Sequence, residues 1–227
     1  MIAASTASYA LALLHGVQGA AERMMQSIQS KHQRAILPGV QVLREVAAQH
    51  DRVLVRADGG VSRIAHLRSL QFEWALESGA EVWLTVDDDV GATPETLSRL
   101  LAAVARTDPI VIAAPCYLRG TNAVNVAWSA IVFDELEADG TRLRAIDAAG
   151  FGLVAMNRSA LLEAARVAPR YGERLAPFHE LMTEHDWFGE DISFFRRLPP
   201  GVRKRALLTG RTEHAGNALD LASSGPQ

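Results

Sequence analysis

Val82-Trp83-Leu84-Thr85-Val86-Asp87-Asp88-Asp89-Val90 sets a short apolar, β-branched run directly against three consecutive carboxylates. The run predicts a buried strand. Side chains alternate across a strand, so Asp87 and Asp89 share one face and Asp88 takes the other. Three bunched carboxylates repel one another. A hard divalent cation such as Mg²⁺ or Mn²⁺, which prefers oxygen ligands, relieves that repulsion. Strand ends of α/β sheets are also where ligands gather. A solvated acidic turn that caps the next helix is the competing reading of the same residues.

Working back from this stretch, residues 63–78 predict a helix capped by Ser62 and closed by Gly79. Ile64, Leu67, Leu70 and Trp74 form its expected core stripe. Before it come strands over 9–14 and 52–57 and helices over 17–34 and 40–49. In the 17–34 helix Met24, Met25 and Ile28 are apolar. Asp58-Gly59-Gly60 ends the 52–57 strand, either as a base- or ribose-binding loop or as an ordinary turn. Working forward, Thr93 and Pro94 open a helix with Leu97, Leu100, Leu101 and Val104 as its buried face, and a strand follows over 110–114. Residues 8–115 thus alternate strand and helix, which predicts a doubly wound, largely parallel sheet.

The rhythm then changes. Residues 126–133 and 142–146 read as strands around an Asp139-Gly140 turn, an antiparallel excursion. A strand over 153–156, a helix over 159–167 with Leu161, Leu162 and Ala165 inward, and a loop over 171–178 follow. Gly189-Glu190-Asp191 opens a last helix with Ile192 and Phe195 apolar, and residues 217–227 are expected to fray.

The 227 residues are 48% apolar, enough for one domain with a substantial core. A net charge of −3 argues against a nucleic-acid-binding surface. A single cysteine, Cys116, excludes an intramolecular disulfide and a multi-cysteine zinc site, and its apolar setting marks it as a buried thiol. The N-terminal apolar stretch has no basic residue before it and is too short to span a bilayer. A cytoplasmic protein without a transmembrane segment is expected.

Glu190 and Asp191 complement a helix dipole, but Trp187 and Phe188 beside them can desolvate a carboxylate and make it a usable base. His214 lies near the chain end. His66, His179 and His185 carry no stronger signal, and His185 stands next to Asp186, with which it could form a simple ion pair. Gly150-x-Gly152 allows either close ligand approach or a tight turn, and does not open a helix as a dinucleotide fingerprint would.

The order of these pieces resembles a glycosyltransferase of the GT-A fold, family-2-like, over about residues 52–216. "VDDDV" looks like the DxD motif and "TPETLSRLLA" like the helix after it. "AAGFGLVAMNRSALL" is similar to the acceptor-side G-x-G segment. "GEDISFFRR" is similar to the segment supplying the base, and "EHAG" to the late metal-binding histidine. The resemblance implies a single GT-A (nucleotide-diphospho-sugar transferase, Rossmann-like) domain over 1–216 with a mixed, mostly parallel sheet. Its nucleotide-sugar half covers 8–115, its acceptor half 116–216, and residues 217–227 form a flexible tail.

It further implies Asp58 at the nucleobase, Asp87 near the ribose, and Asp88 as a helper. Asp87, Asp89 and His214 would hold Mn²⁺ or Mg²⁺. Asp191 would be the base, with Glu190 as second choice. The implied donor is a UDP- or GDP-sugar, transferred with inversion to an acceptor left open among glycan, lipid, protein and small molecule. Two departures stand out: Leu14-His15-Gly16 replaces the usual turn after the first strand, and Ala65-His66-Leu67-Arg68 replaces Ala-Arg-Asn.

"DDDVGAT" also imitates the first motif of haloacid-dehalogenase-type phosphohydrolases. That family needs a lysine between its motifs, and neither Lys31 nor Lys204 lies between Asp89 and Glu190. A nucleotidyltransferase would need a glycine-rich, basic loop after the first strand. A non-catalytic nucleotide- or glycan-binding domain would need Asp89 but not Asp191.

Overall fold

The computed structural model describes residues 9–15, 38–50, 53–59, 64–118, 121, 123–130, 134–137, 139–214 and 217–223. The expected helix over 17–34, the Ser62 cap, Gly60 and Gly216 lie outside them. In chain order the described residues form β1 (Tyr9–His15), α1 (Pro38–Gln49), β2 (Val53–Gly59), α2 (Ile64–Ser78), β3 (Val82–Asp87), β4 (Val90–Ala92), α3 (Pro94–Val104) and β5 (Ile110–Ala113). Next come β6 (Val126–Trp128), β7 (Asp134–Leu136), β8 (Arg142–Ala149), β9 (Leu153–Asn157) and α4 (Arg158–Val167). The remainder is β10 (Arg170–Tyr171), β11 (Arg174–Leu175), β12 (Leu181–Met182), β13 (Trp187–Phe188), α5 (Glu190–Arg197), β14 (Arg203–Leu207), β15 (Arg211–His214) and β16 (Asn217–Asp220).

The main sheet runs β2-β1-β3-β9-β5-β14-β8-β6, with β7 also on β8. β2, β1, β3, β5 and β14 point one way, and β8 and β9 are reversed. The fold class is therefore α/β with a mixed sheet. The chain steps outward from β1 to β2 and then back across to β3, so the strand order reverses between β1 and β3. Ligands of open α/β sheets bind at the strand ends beside such a reversal.

β3 is central because both of its faces are covered. Val82, Leu84 and Val86 join a core with Leu43 of α1 and Leu97 and Leu100 of α3. Trp83 faces a second core with Phe72 of α2, Leu161 of α4 and Phe194 of α5. Each such side chain contributes roughly 1.5–3 kcal/mol through burial. α3 starts as its sequence requires: Thr93 Oγ1 accepts the Thr96 N–H, and Pro94 has no N–H that needs an acceptor. Gly79 closes α2 at φ 67°.

Several expectations are corrected. The buried face of α2 is Leu67, Arg68, Ser69, Gln71, Phe72 and Ala75, whereas Ile64 is 43% exposed. In α4, Leu162 is 52% exposed, Ala164 is buried, and Ala165 is partly buried against the same core. The Asp139-Gly140 turn joins β7 to β8, while β6 pairs with the far end of β8. β10 and β11 form a small hairpin where a loop is expected. Residues 217–220, expected to fray, are in a strand. They add β16 to β15, and Leu219 and Leu221 are buried.

Candidate active site

Asp87 ends β3, and the turn Asp88-Asp89 leads into β4. β15 pairs antiparallel with β4 so that His214 lies opposite Val90. This register carries a residue from the far end of the chain to Asp89. His214 Nε2 stands 3.4 Å from Asp89 Oδ2. Its other nitrogen, Nδ1, is 2.5 Å from the Tyr117 carbonyl oxygen. A carbonyl only accepts, so Nδ1 carries the proton. Nε2 is therefore the ring nitrogen turned toward the Asp89 carboxylate, and an unprotonated Nε2 would offer its lone pair to a cation beside that carboxylate. A ring fixed by a backbone carbonyl with its second nitrogen presented is also how histidines are oriented for metals. Asp89 and His214 thus fit a divalent cation.

Asp87 turns elsewhere. Both its oxygens lie 3.2 Å from Nη2 of Arg68, a buried residue of α2. The other fork nitrogen of Arg68, Nη1, donates to Glu190 Oε1 at 2.9 Å and to Asp191 Oδ1. The predicted trio of Asp87, Asp89 and His214 is thus split between two adjacent groups. Among the described residues, no three His, Cys, Asp or Glu side chains converge as a ready-made metal cage.

Arg68 is the residue that sequence reasoning missed. It is only 3% exposed, and its guanidinium also lies 5.5 Å from the centre of the Phe151 ring. A signal for it existed. Arg68, Phe72 and Ala75 share one helical face, and a buried cation needs carboxylates, which the chain offers at two places. Burial works against its charge, but Asp87, Asp191 and Glu190 outweigh burial and hold its pKa above the ordinary value.

The carboxylates feel the same setting. Burial raises the Asp87 pKa against the pull of Arg68. Burial pushes Asp191 up to about 6, with Glu190 adding to the rise and Arg68 opposing it. Asp191 Oδ2 also accepts the Phe151 N–H at 3.1 Å. Gly150 and Gly152, flanking Phe151, are packed tight. A Cβ on Gly150 would meet the Asn125 amide at 2.8 Å, and one on Gly152 would meet Cys116 Sγ and Val90 at 3.2 Å. The Gly152 carbonyl accepts the Asp87 N–H at 2.9 Å. Gly152 therefore lets the loop pack against Val90, just after the acidic turn, and Gly150 makes room for Asn125. Cys116 is buried, and burial with the nearby Asp87, Asp89 and Asp191 pushes its thiol up to about 12, so it is no nucleophile.

Asp58 lies in β2 in lateral register with Leu14 of β1, which is itself in register with Asp87. Two strand spacings, about 10 Å, separate Asp58 from Asp87 along the strand ends. Asp88 accepts the Gly39 N–H through its carbonyl at 3.2 Å. Lys204 donates to the Asp147 carbonyl at 3.1 Å, on β8, and gives the phosphohydrolase reading no support.

No protein-family model matches the chain, and no curated protein sequence matches it. Solved structures do. A197 from STIV is 17% identical with a TM-score of 0.54, over 91% of this chain and 85% of that one. A structure of GalNAc-T7 with UDP, GalNAc and Mn²⁺ is 12% identical with a TM-score of 0.50, over 92% of this chain and 43% of that one. Mannose-1-phosphate geranyltransferase from Thermus thermophilus is 15% identical with a TM-score of 0.50, over 92% of this chain and 77% of that one. At such identities the likeness concerns the fold, and the fold is of the GT-A type.

Proposed function

We propose that this chain is a metal-dependent glycosyltransferase that moves a sugar from a UDP- or GDP-sugar to an acceptor hydroxyl with inversion. The observation that carries the reading is one juxtaposition at the end of β3. The Asp89–His214 pair lies on one side, and Asp191 is held beside Asp87 by Arg68 on the other. The GT-A-type fold supports it, and GalNAc-T7 is a neighbour seen with UDP, GalNAc and Mn²⁺.

Asp58 and Asp87 serve the nucleoside, with Asp88 as a helper. Asp89 and His214 hold Mn²⁺ or Mg²⁺, which when bound supplies Lewis-acid neutralisation of the leaving diphosphate. Asp191 takes the proton from the acceptor hydroxyl as that oxygen bonds to the anomeric carbon. The anomeric carbon–oxygen bond to diphosphate breaks in line, and its electron pair leaves with the diphosphate. Asp191 already binds Arg68 and the Phe151 N–H, but each carboxylate oxygen keeps another lone pair for the substrate. Glu190, tied to the same guanidinium, orients the acceptor.

A panel of sugar nucleotides with Mn²⁺, scored for release of nucleoside diphosphate, tests this. One donor is expected to be turned over slowly even without acceptor, with Asp89→Ala inactive. Release no greater than that of Asp89→Ala across the panel would refute the reading.

A further inference from the structure

A cleft of about 810 Å³ opens beside Glu190, within the size range of small-molecule sites. One wall is α2, where Ile64 and Leu70, expected in the core, instead face the cleft. The other wall comes from the β10–β11 hairpin and the segment after it, and Glu190 stands in the lining. Because Glu190 and Asp191 share Arg68, the cleft adjoins the carboxylate assigned to receive the acceptor proton.

The charges lining the cleft are lopsided. Among the described residues it has three carboxylates, Glu73, Glu180 and Glu190, against one guanidinium, Arg174, a formal charge of −2 with the histidines neutral. Arg174 is already paired with Glu73 at 3.0 Å. Arg68, behind Glu190, is buried and committed to three carboxylates. An incoming phosphate or carboxylate would meet net repulsion at short range.

Hydroxyl donors fit instead. Carboxylate oxygens accept from them, and Tyr171 with His179, 2.8 Å apart, offers an aromatic edge and a polar tip. Trp187, 70% exposed, donates its Nε1–H to Glu180 at 3.2 Å and so places an indole next to the lining. Apolar faces beside hydrogen-bond acceptors match a pyranose, which has C–H faces and an equatorial rim of hydroxyls.

Resting on the glycosyltransferase reading, we infer that this cleft takes an uncharged carbohydrate as acceptor, and discriminates against phosphorylated or acidic acceptors. The test is ligand-observed NMR titration of the whole chain, with and without UDP or GDP plus Mn²⁺. The probes are p-nitrophenyl hexopyranosides, the matching hexose 1-phosphates, and amino-hexopyranosides. Neutral glycosides are expected to bind at least about tenfold tighter than the phosphates.

Ala65→Trp, which fills the cleft, should abolish glycoside binding and leave nucleotide binding unchanged. Glu180→Arg, at an exposed position, should narrow or reverse the preference against phosphate. Tighter binding of phosphates or amines by the wild type would overturn the inference, as would glycoside binding indifferent to both variants. Nucleotide binding in the same samples separates the two readings. If nucleotide binds and glycosides do not, only the acceptor assignment fails. If glycosides bind and no nucleotide does, the transferase reading fails, and the cleft keeps its carbohydrate preference but loses its acceptor role.

Discussion

Arg68 governs the electrostatics of the site. One buried guanidinium faces three carboxylates, so the cluster is short of positive charge and burial raises the pKa of Asp87 and Asp191. For Asp191 the consequence has a definite sign. A base with a pKa of about 6 is protonated and idle below that pH, and becomes competent above it. The kcat/KM of the wild type should therefore rise with pH through about 6. Asp191→Asn should bind donor and lose transfer by roughly 10²–10⁴-fold. Its stability should move the other way from a loss. A carboxyl whose folded pKa lies above its unfolded value stabilises below the unfolded value, and that contribution disappears as pH rises through the folded one. The Asn variant should therefore gain on the wild type between pH 4 and pH 8 in denaturant unfolding. Retained turnover, or a flat difference in stability, would remove Asp191 from the role. At this scale the acidic residues were legible in the sequence, because carboxylates at a strand end and in a first helical turn stand out. Arg68 was harder to read: it shares a helical face with Phe72 and Ala75, but an arginine on a helix is ordinarily read as solvated.

Elements bring these residues together, and two do most of the positioning. The pairing of β15 with β4 delivers His214, and it is anchored at its start by Thr96. Thr96 Oγ1 donates to the Arg211 carbonyl at 3.0 Å and accepts the Arg211 N–H at 2.7 Å. Gly210 precedes this contact at φ 112°, and a Cβ there would lie 3.0 Å from Thr96 Cβ and 3.1 Å from its Cα. Gly210→Ala should therefore cost about 2–3 kcal/mol. It should also displace the strand that carries His214. Urea unfolding measures the cost, and an unchanged midpoint would show that β15 is not held in this way. β3, α3 and α5 were readable because caps, burial pattern and periodicity agree. The orientation of α2 was not: its apolar stripe includes Ile64 and Leu70, which line a cleft, while the core takes Leu67, Phe72 and Ala75. The two-residue ladders of β10–β13 carry no periodicity to read. β16 forms because β15 offers an edge to Asn217–Asp220, which only the tertiary structure supplies.

For the whole molecule, the main sheet sets the order of events along one edge. Strand ends at β2, β1 and β3 bring Asp58, Leu14 and Asp87 into line, and the reversal of β8 and β9 turns the second half of the chain back over the same edge. The sequence order of acidic turn, glycine loop, acidic helix start and late histidine was legible; the division of those groups into an Asp89–His214 pair and an Arg68-centred cluster was not, since it depends on where one guanidinium points. No helix among the described residues is long and apolar enough to cross a membrane. Asp89 and His214 are proposed to act together on a cation that a nucleotide requires. Calorimetry of UDP and GDP, with Mn²⁺ and after chelation, measures it directly in the wild type and in His214→Ala. The expected result is binding that depends on Mn²⁺ and weakens at least about tenfold in the variant, in line with the loss of a metal ligand or its support. Equal affinity with and without metal, or an unaffected His214→Ala, would contradict it.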